Sequence, residues 1–157
     1  MTVFDGTTRG RTWCCQAGLM LFVAPEHWKG LAVAVELNHT IVPAHDPQTS
    51  AKFLAEILGL TVDPPVAHFT PVTLANQVTL DYDHVDAFEP HHYAFMVSEQ
   101  EFDAALARIQ DGGITYYGDP ACQEEGQIYR SKSYKGRRGT YFRDPNRHLM
   151  EILTPGT

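Results

Sequence analysis

Positive charge is scarce in this chain: 12 lysines and arginines stand against 19 aspartates and glutamates, a net charge of −7 over 157 residues. That shortfall excludes broad binding to nucleic acid or to an anionic membrane surface, both of which need a basic face. Cysteine is scarce too. Three cysteines, two of them adjacent as Cys14 and Cys15, make no paired disulfide framework and are expected as free thiols in a reducing, cytoplasmic compartment. No apolar run approaches the ~20 residues that span a bilayer. The run Ala17–Ala24 follows Arg9 and Arg11, but it is short and lacks a convincing small-x-small cleavage site, so residues 1–35 are read as an N-terminal extension that adds a strand or covers a sheet edge. What is present in quantity is apolar side chain, 43% of residues, enough for one globular domain or two small modules sharing a core.

Periodicity divides the remainder into two similar halves. Leu37–Val42 is a β-like run with Leu37, His39 and Ile41 on one face. Asp46 and Pro47 supply an N-cap and a first-turn proline for a helix whose stripe is Phe53, Leu54, Ile57 and Leu58, ending at Gly59. Strands are expected at Thr61–Asp63, Ala67–Phe69, Val72–Ala75 and Gln77–Tyr82, before an acidic loop at Asp81–Glu89. The order then restarts. His92–Val97 reads as a strand, and Ser98 with Glu101 forms a capping box opening a helix with Phe102, Ala105, Leu106 and Ile109 on its buried face and Gly112-Gly113 at its end. Strands follow at Ile114–Tyr117, Gln127–Tyr129, Gly139–Arg143 and Leu149–Leu153, with Asp144-Pro145-Asn146 as the turn between the last two. Gly59 follows His39, and Gly112 follows His92, by the same twenty residues. The expected fold is therefore α+β, two βαβββ modules at 36–89 and 90–154 forming a curved mixed sheet around a cavity.

In the last strand Leu149, Glu151 and Leu153 share one face and Met150 and Ile152 the other, so Glu151 is a lone carboxylate in apolar company. Such a group must be paired, protonated or bound to a cation. Strand parity directs His39, His92 and Glu151 to one cavity if the helices cover the opposite faces. Two imidazoles and a carboxylate suit a divalent first-row metal with open positions for substrate. His91 is a rival to His92, but the repeat interval and the parity with Ala94 and Met96 favour His92.

The duplicated order, with Asn38–Val42, His92–Phe95 and the ending Tyr141-Phe142-Arg143-Asp144-Pro145-Asn146-Arg147-His148-Leu149-Met150-Glu151, resembles the vicinal oxygen chelate superfamily over about residues 36–154. That superfamily holds glyoxalase I, extradiol dioxygenases, fosfomycin-resistance enzymes and bleomycin-resistance proteins. The resemblance implies one divalent metal per site (Fe, Mn, Ni or Zn) on His39, His92 and Glu151, and Tyr141 as a catalytic hydrogen-bond or proton donor. It implies Lewis-acid activation of a small, oxygen-chelating, possibly anionic substrate, by lyase, isomerase, transferase or dioxygenase chemistry, in a homodimer. Where glyoxalase I has a fourth ligand, the alignment places Thr79, with Asp81 sharing its parity. The segment Tyr129–Arg138 carries five positive charges and reads as a lid over the metal. Lys132, Tyr134 and Arg138, with Thr79 and Asp81, are its candidate substrate contacts. The alternative is a metal-free protein that sequesters a drug-like ligand, as bleomycin-resistance proteins do.

Overall fold

The computed structural model describes residues 35–133 and 135–156. The chain divides into two compact units, Met1–Val35 and Glu36–Thr157, and every element below belongs to the second. The expected strand or edge cover within 1–34, and the side chain of Tyr134, lie outside the described residues.

Strand β1 (His39–Ala44) leads into helix α1 (Pro47–Leu58). Asp46 caps α1 by accepting from the Thr49 amide and hydroxyl at 3.0 and 2.7 Å. Gly59 ends it in the left-handed region at φ 69°, its amide turned back to the Ala55 and Glu56 carbonyls. Strands β2 (Thr70–Thr73) and β3 (Thr79–His84) complete the first module as a three-stranded sheet of order β1-β3-β2. The expected strand Thr61–Asp63 does not form, and Ala67–Phe69 contributes only an isolated bridge between Val66 and Phe69. Pro64 and Pro65 carry no backbone donor, so a ladder cannot propagate there. Asp63 instead accepts from the Thr73 amide and hydroxyl, tying the segment to β2 by a side chain. Strand β3 also runs to His84, into what the sequence suggested as loop.

The second module repeats the plan. Strand β4 (His92–Met96) is followed by α2 (Glu99–Asp111), with the expected capping box between Ser98 and Glu101. Short strands β5 (Tyr116–Tyr117) and β6 (Tyr129–Arg130) and longer strands β7 (Arg138–Arg143) and β8 (Leu149–Leu153) make a second sheet of order β4-β8-β7-β5, with β6 paired to β7. In each module the first strand runs parallel to the last, β1 with β3 and β4 with β8, across a helical connection. The internal duplication is thus visible in the pairing itself, as two mixed sheets.

One apolar core serves both modules. Leu54, Ala55 and Ile57 of α1, Phe102, Ala105 and Ile109 of α2, and Val42, Leu80, Tyr82, Phe95, Phe142, Met150 and Ile152 of the strands belong to a single buried cluster. Each large apolar side chain buried this way contributes roughly 1.5–3 kcal/mol. Polar links cross between the modules as well. Arg108 of α2 donates to the Ile57 carbonyl at the end of α1 (3.0 Å), and fully buried His148 bonds Pro43 of β1. With one face of each sheet turned to this core, the alternate residues of β1, β3, β4, β7 and β8 are left on the opposite faces.

Candidate metal centre

Those opposite faces hold the residues that the sequence singled out. On the second sheet β8 is flanked by β4 and β7, with Glu151 facing Ala94 on one side and Tyr141 on the other. His92 lies two residues before Ala94, diagonal to Glu151, within reach of a long side chain. The His92 ring is held by its Nδ1, 3.0 Å from the Leu149 carbonyl. A carbonyl only accepts, so Nδ1 carries the hydrogen and Nε2 presents its lone pair. Nε2 stands 3.3 Å from Oε2 of Glu151. Two acceptors at that separation need a positive centre between them, either a proton or a cation.

The geometry fits a metal. Ligand bonds of about 2.1 Å meeting at roughly 90–110° hold two donor atoms about 3.0–3.4 Å apart. A histidine whose Nδ1–H is bound to a backbone carbonyl is also the usual arrangement behind an Nε2 ligand, since it fixes tautomer and ring orientation together. Glu151 is 8% exposed, and its other oxygen, Oε1, accepts from the Tyr129 hydroxyl at 2.6 Å. Both carboxylate oxygens are therefore directed, Oε1 to a phenol and Oε2 to the imidazole.

Glu151 also lines a cavity of about 650 Å³, together with Ala94, Met96, Tyr129, Ser131, Arg137, Tyr141 and Leu153. Its exposed lining is mainly apolar, with polar groups from Tyr129, Ser131, Arg137, Tyr141 and Glu151, a character shared by small-molecule sites. The Tyr141 ring sits 5.7 Å from that of Tyr129 and 6.1 Å from that of His92. Burial, and then the charge of Glu151, push the Tyr141 phenol up to about 12, while burial, and then the hydrogen bond to Glu151, raise Tyr129. Near neutral pH both phenols keep their protons and act as donors.

His39 stands elsewhere. It belongs to the three-stranded sheet, bonds the neighbouring Asn38 side chain at 2.8 Å, and lines a cavity of about 510 Å³ with Asp63, Thr73, Thr79 and Asp81. Among the described residues, no three His, Cys, Asp or Glu side chains of one chain come together as a metal cage. The expected trio therefore does not meet within one chain: His92 lies with Glu151, and His39 lies on the other sheet. Pairing register also corrects the alignment of the fourth position. His39 faces Thr79, and Ile41 faces Asp81, whereas His92 faces Leu149 and Ala94 faces Glu151. Asp81, not Thr79, therefore occupies in the first module the place that Glu151 occupies in the second.

Other substrate contacts expected from sequence are distributed differently. Arg138 points to the core side of β7, where it pairs with Glu99 and Asp103 and lies 4.5 Å over the Phe102 ring, so its charge is spent on α2 and is not offered to a substrate. Lys132 is exposed, and Ser131 and Arg137 line the cavity in its place. Parity explains the placing of Arg138, which shares its face of β7 with buried Thr140 and Phe142, while Gly139 and Tyr141 take the opposite face. Tyr129 and Gly139 were legible in sequence only as a lid residue and a strand glycine. A glycine inside a strand marks close approach of another group, and that was the available sign. His148 is buried, accepting from the His91 amide at Nδ1 and bonding the Pro43 carbonyl through Nε2, each at 2.8 Å. Cys122 is a free thiol.

A model of the glyoxalase/bleomycin resistance protein/dioxygenase superfamily matches residues 36–152. The glutathione transferase FosA of Serratia marcescens is 29% identical over 123 residues, covering 74% of this chain and 78% of that protein. Among solved structures, oxidase ChaP-H2 is 50% identical with a TM-score of 0.73, over 78% of this chain and 94% of its own. Oxidase ChaP-H1 is 44% identical with a TM-score of 0.72, over 77% and 96%.

Proposed function

This chain belongs to the glyoxalase/bleomycin resistance/dioxygenase superfamily, and we propose that it is a metal-dependent enzyme whose site is completed between two copies. The observation that carries this reading is the His92–Glu151 pair, with the imidazole Nδ1 held by a carbonyl and Nε2 directed at a buried carboxylate oxygen. His92 and Glu151 of one copy, with His39 of a second, would hold one divalent ion, and Asp81 beside His39 is available as a further oxygen donor. Held there, such an ion would supply Lewis-acid chemistry toward an oxygen-bearing small substrate.

The protein's own residues supply the rest. Tyr141, protonated near neutral pH, donates to an oxygen that gains negative charge during the reaction. Ala94, Met96 and Leu153 exclude water from the substrate's apolar part, and Ser131 and Arg137 line the same cavity where a polar or anionic group would enter. The higher identity to two proteins named oxidases than to the transferase favours oxidation over group transfer as the reaction.

Metal content tests the reading. Untagged protein, after incubation with Fe, Mn, Ni and Zn in turn, is expected to hold about one ion per chain by mass spectrometry, and His92→Ala and Glu151→Gln are each expected to lose it while retaining their circular dichroism. Iron would support oxidation. A wild-type protein that holds none of the four ions would overturn the enzyme reading and leave ligand sequestration as the better account.

A further inference from the structure

Glu151 is a metal ligand under the reading above, and that reading leaves open why its carboxylate offers one oxygen rather than two. Tyr129 is the cross-strand partner of Gly139, whereas Glu151 lies one strand further on, opposite Tyr141. To reach Glu151, the Tyr129 side chain must cross β7, and it does so over Gly139. A Cβ at position 139 would collide with the Tyr129 ring at its Cε1, Cζ and hydroxyl. Any residue other than glycine would therefore push the phenol off its path. Gly139 is fully within the strand and carries no positive φ, so no turn requires a glycine there. The space above it does.

At the end of that path the hydroxyl donates to Oε1 of Glu151 at 2.6 Å, the short range of an O–H bond to a carboxylate. Oε2 is left to face His92 Nε2. We infer that Tyr129, seated on Gly139, is a positioning residue that restricts Glu151 to one-oxygen coordination and aims Oε2 at the metal. Without that bond the carboxylate keeps only its interaction with the neighbouring Tyr141 phenol and can turn to bring both oxygens to the ion. The role differs from that assigned to Tyr141, which meets substrate.

Cobalt(II) titration of the full-length apoprotein, followed by calorimetry and by visible absorption, reads both affinity and coordination. Tyr129→Phe removes a single oxygen and is expected to keep the fold, weaken cobalt binding about ten- to a hundredfold, and change the cobalt absorption bands. Gly139→Ala is expected to show the same loss although it retains the phenol. Adding Gly139→Ala to Tyr129→Phe is expected to weaken binding little further, since both act through one hydrogen bond. Wild-type affinity and an unchanged spectrum in Tyr129→Phe would overturn the inference while leaving the metal reading intact. A phenolate-to-iron(III) absorption band that disappears in Tyr129→Phe would overturn it too, by making Tyr129 a ligand. Wild-type protein that binds no cobalt would overturn both readings at once, so the two failures are distinguishable.

Discussion

His148 shows how much one side chain contributes to joining the modules. It is fully buried in the β7–β8 turn, yet it accepts from the amide that precedes β4 and bonds a carbonyl of β1. Replacing it by alanine removes the partner of the His91 amide and of the buried Pro43 carbonyl and opens a cavity, so His148→Ala should cost about 3 kcal/mol in urea unfolding. A loss below about 0.5 kcal/mol would show that water replaces the ring without strain. At this scale Glu151 was the most legible residue. Its isolation in an apolar strand announced a need for partners, because an uncompensated carboxylate there is costly. The identity of one partner, Tyr129, was not legible. The contact crosses a strand, and nothing in the local pattern of residues 127–130 fixes the direction of that side chain. The role of His148 was not legible for a similar reason, since its two backbone partners are separated from it by 57 and 105 residues.

At the scale of elements, the helices were the most legible because their ends carry local chemistry. Asp46, Gly59, Ser98 and Glu101 cap or delimit α1 and α2 as their residue types require. The cap on α1 has a pH signature. Hydrogen bonds from the Thr49 hydroxyl and amide lower the Asp46 carboxyl below its ordinary value. A carboxyl lowered in the folded state contributes stability that is present above the unfolded value, about 3.9, and is lost as pH falls through the folded one. Asp46→Asn keeps a capping side chain but cannot titrate. The stability difference between wild type and Asp46→Asn should therefore shrink as pH falls below about 4, measured by urea unfolding from neutral to acid pH. A difference that stays constant over that range would contradict the assignment. Strands were less legible than helices. Thr61–Asp63 has extended-chain composition, but the prolines after it remove the donors a ladder needs, and the short β5 and β6 exist only because β7 offers them an edge.

At the scale of the whole molecule, the duplication places the candidate ligands at matching positions in the two modules. Each module places a histidine on its first strand and a carboxylate two register positions on, His39 with Asp81 and His92 with Glu151. Strand parity directed His39, His92 and Glu151 to one cavity, whereas in a single chain His39 lines one cavity and Glu151 another. What parity could not give is which two faces meet, because that depends on association beyond a single module. The faces bearing these groups also expose large apolar side chains, Ile41 at 49% and Met96 at 61%. Covering them with a second copy would remove that apolar surface from water and bring His39 of one copy to His92 and Glu151 of the other.

Mixing two defective chains tests this most directly. His39→Ala and Glu151→Gln homodimers should each hold almost no metal. If each site draws on both copies, a mixed dimer has one intact site and one doubly defective site. Unfolding the two variants together, refolding, and isolating the heterodimer by differently sized tags removable by proteolysis should restore about one ion per dimer by mass spectrometry. A heterodimer as empty as its parents, beside a wild type refolded in the same way that regains about two ions per dimer, would contradict a site shared between copies.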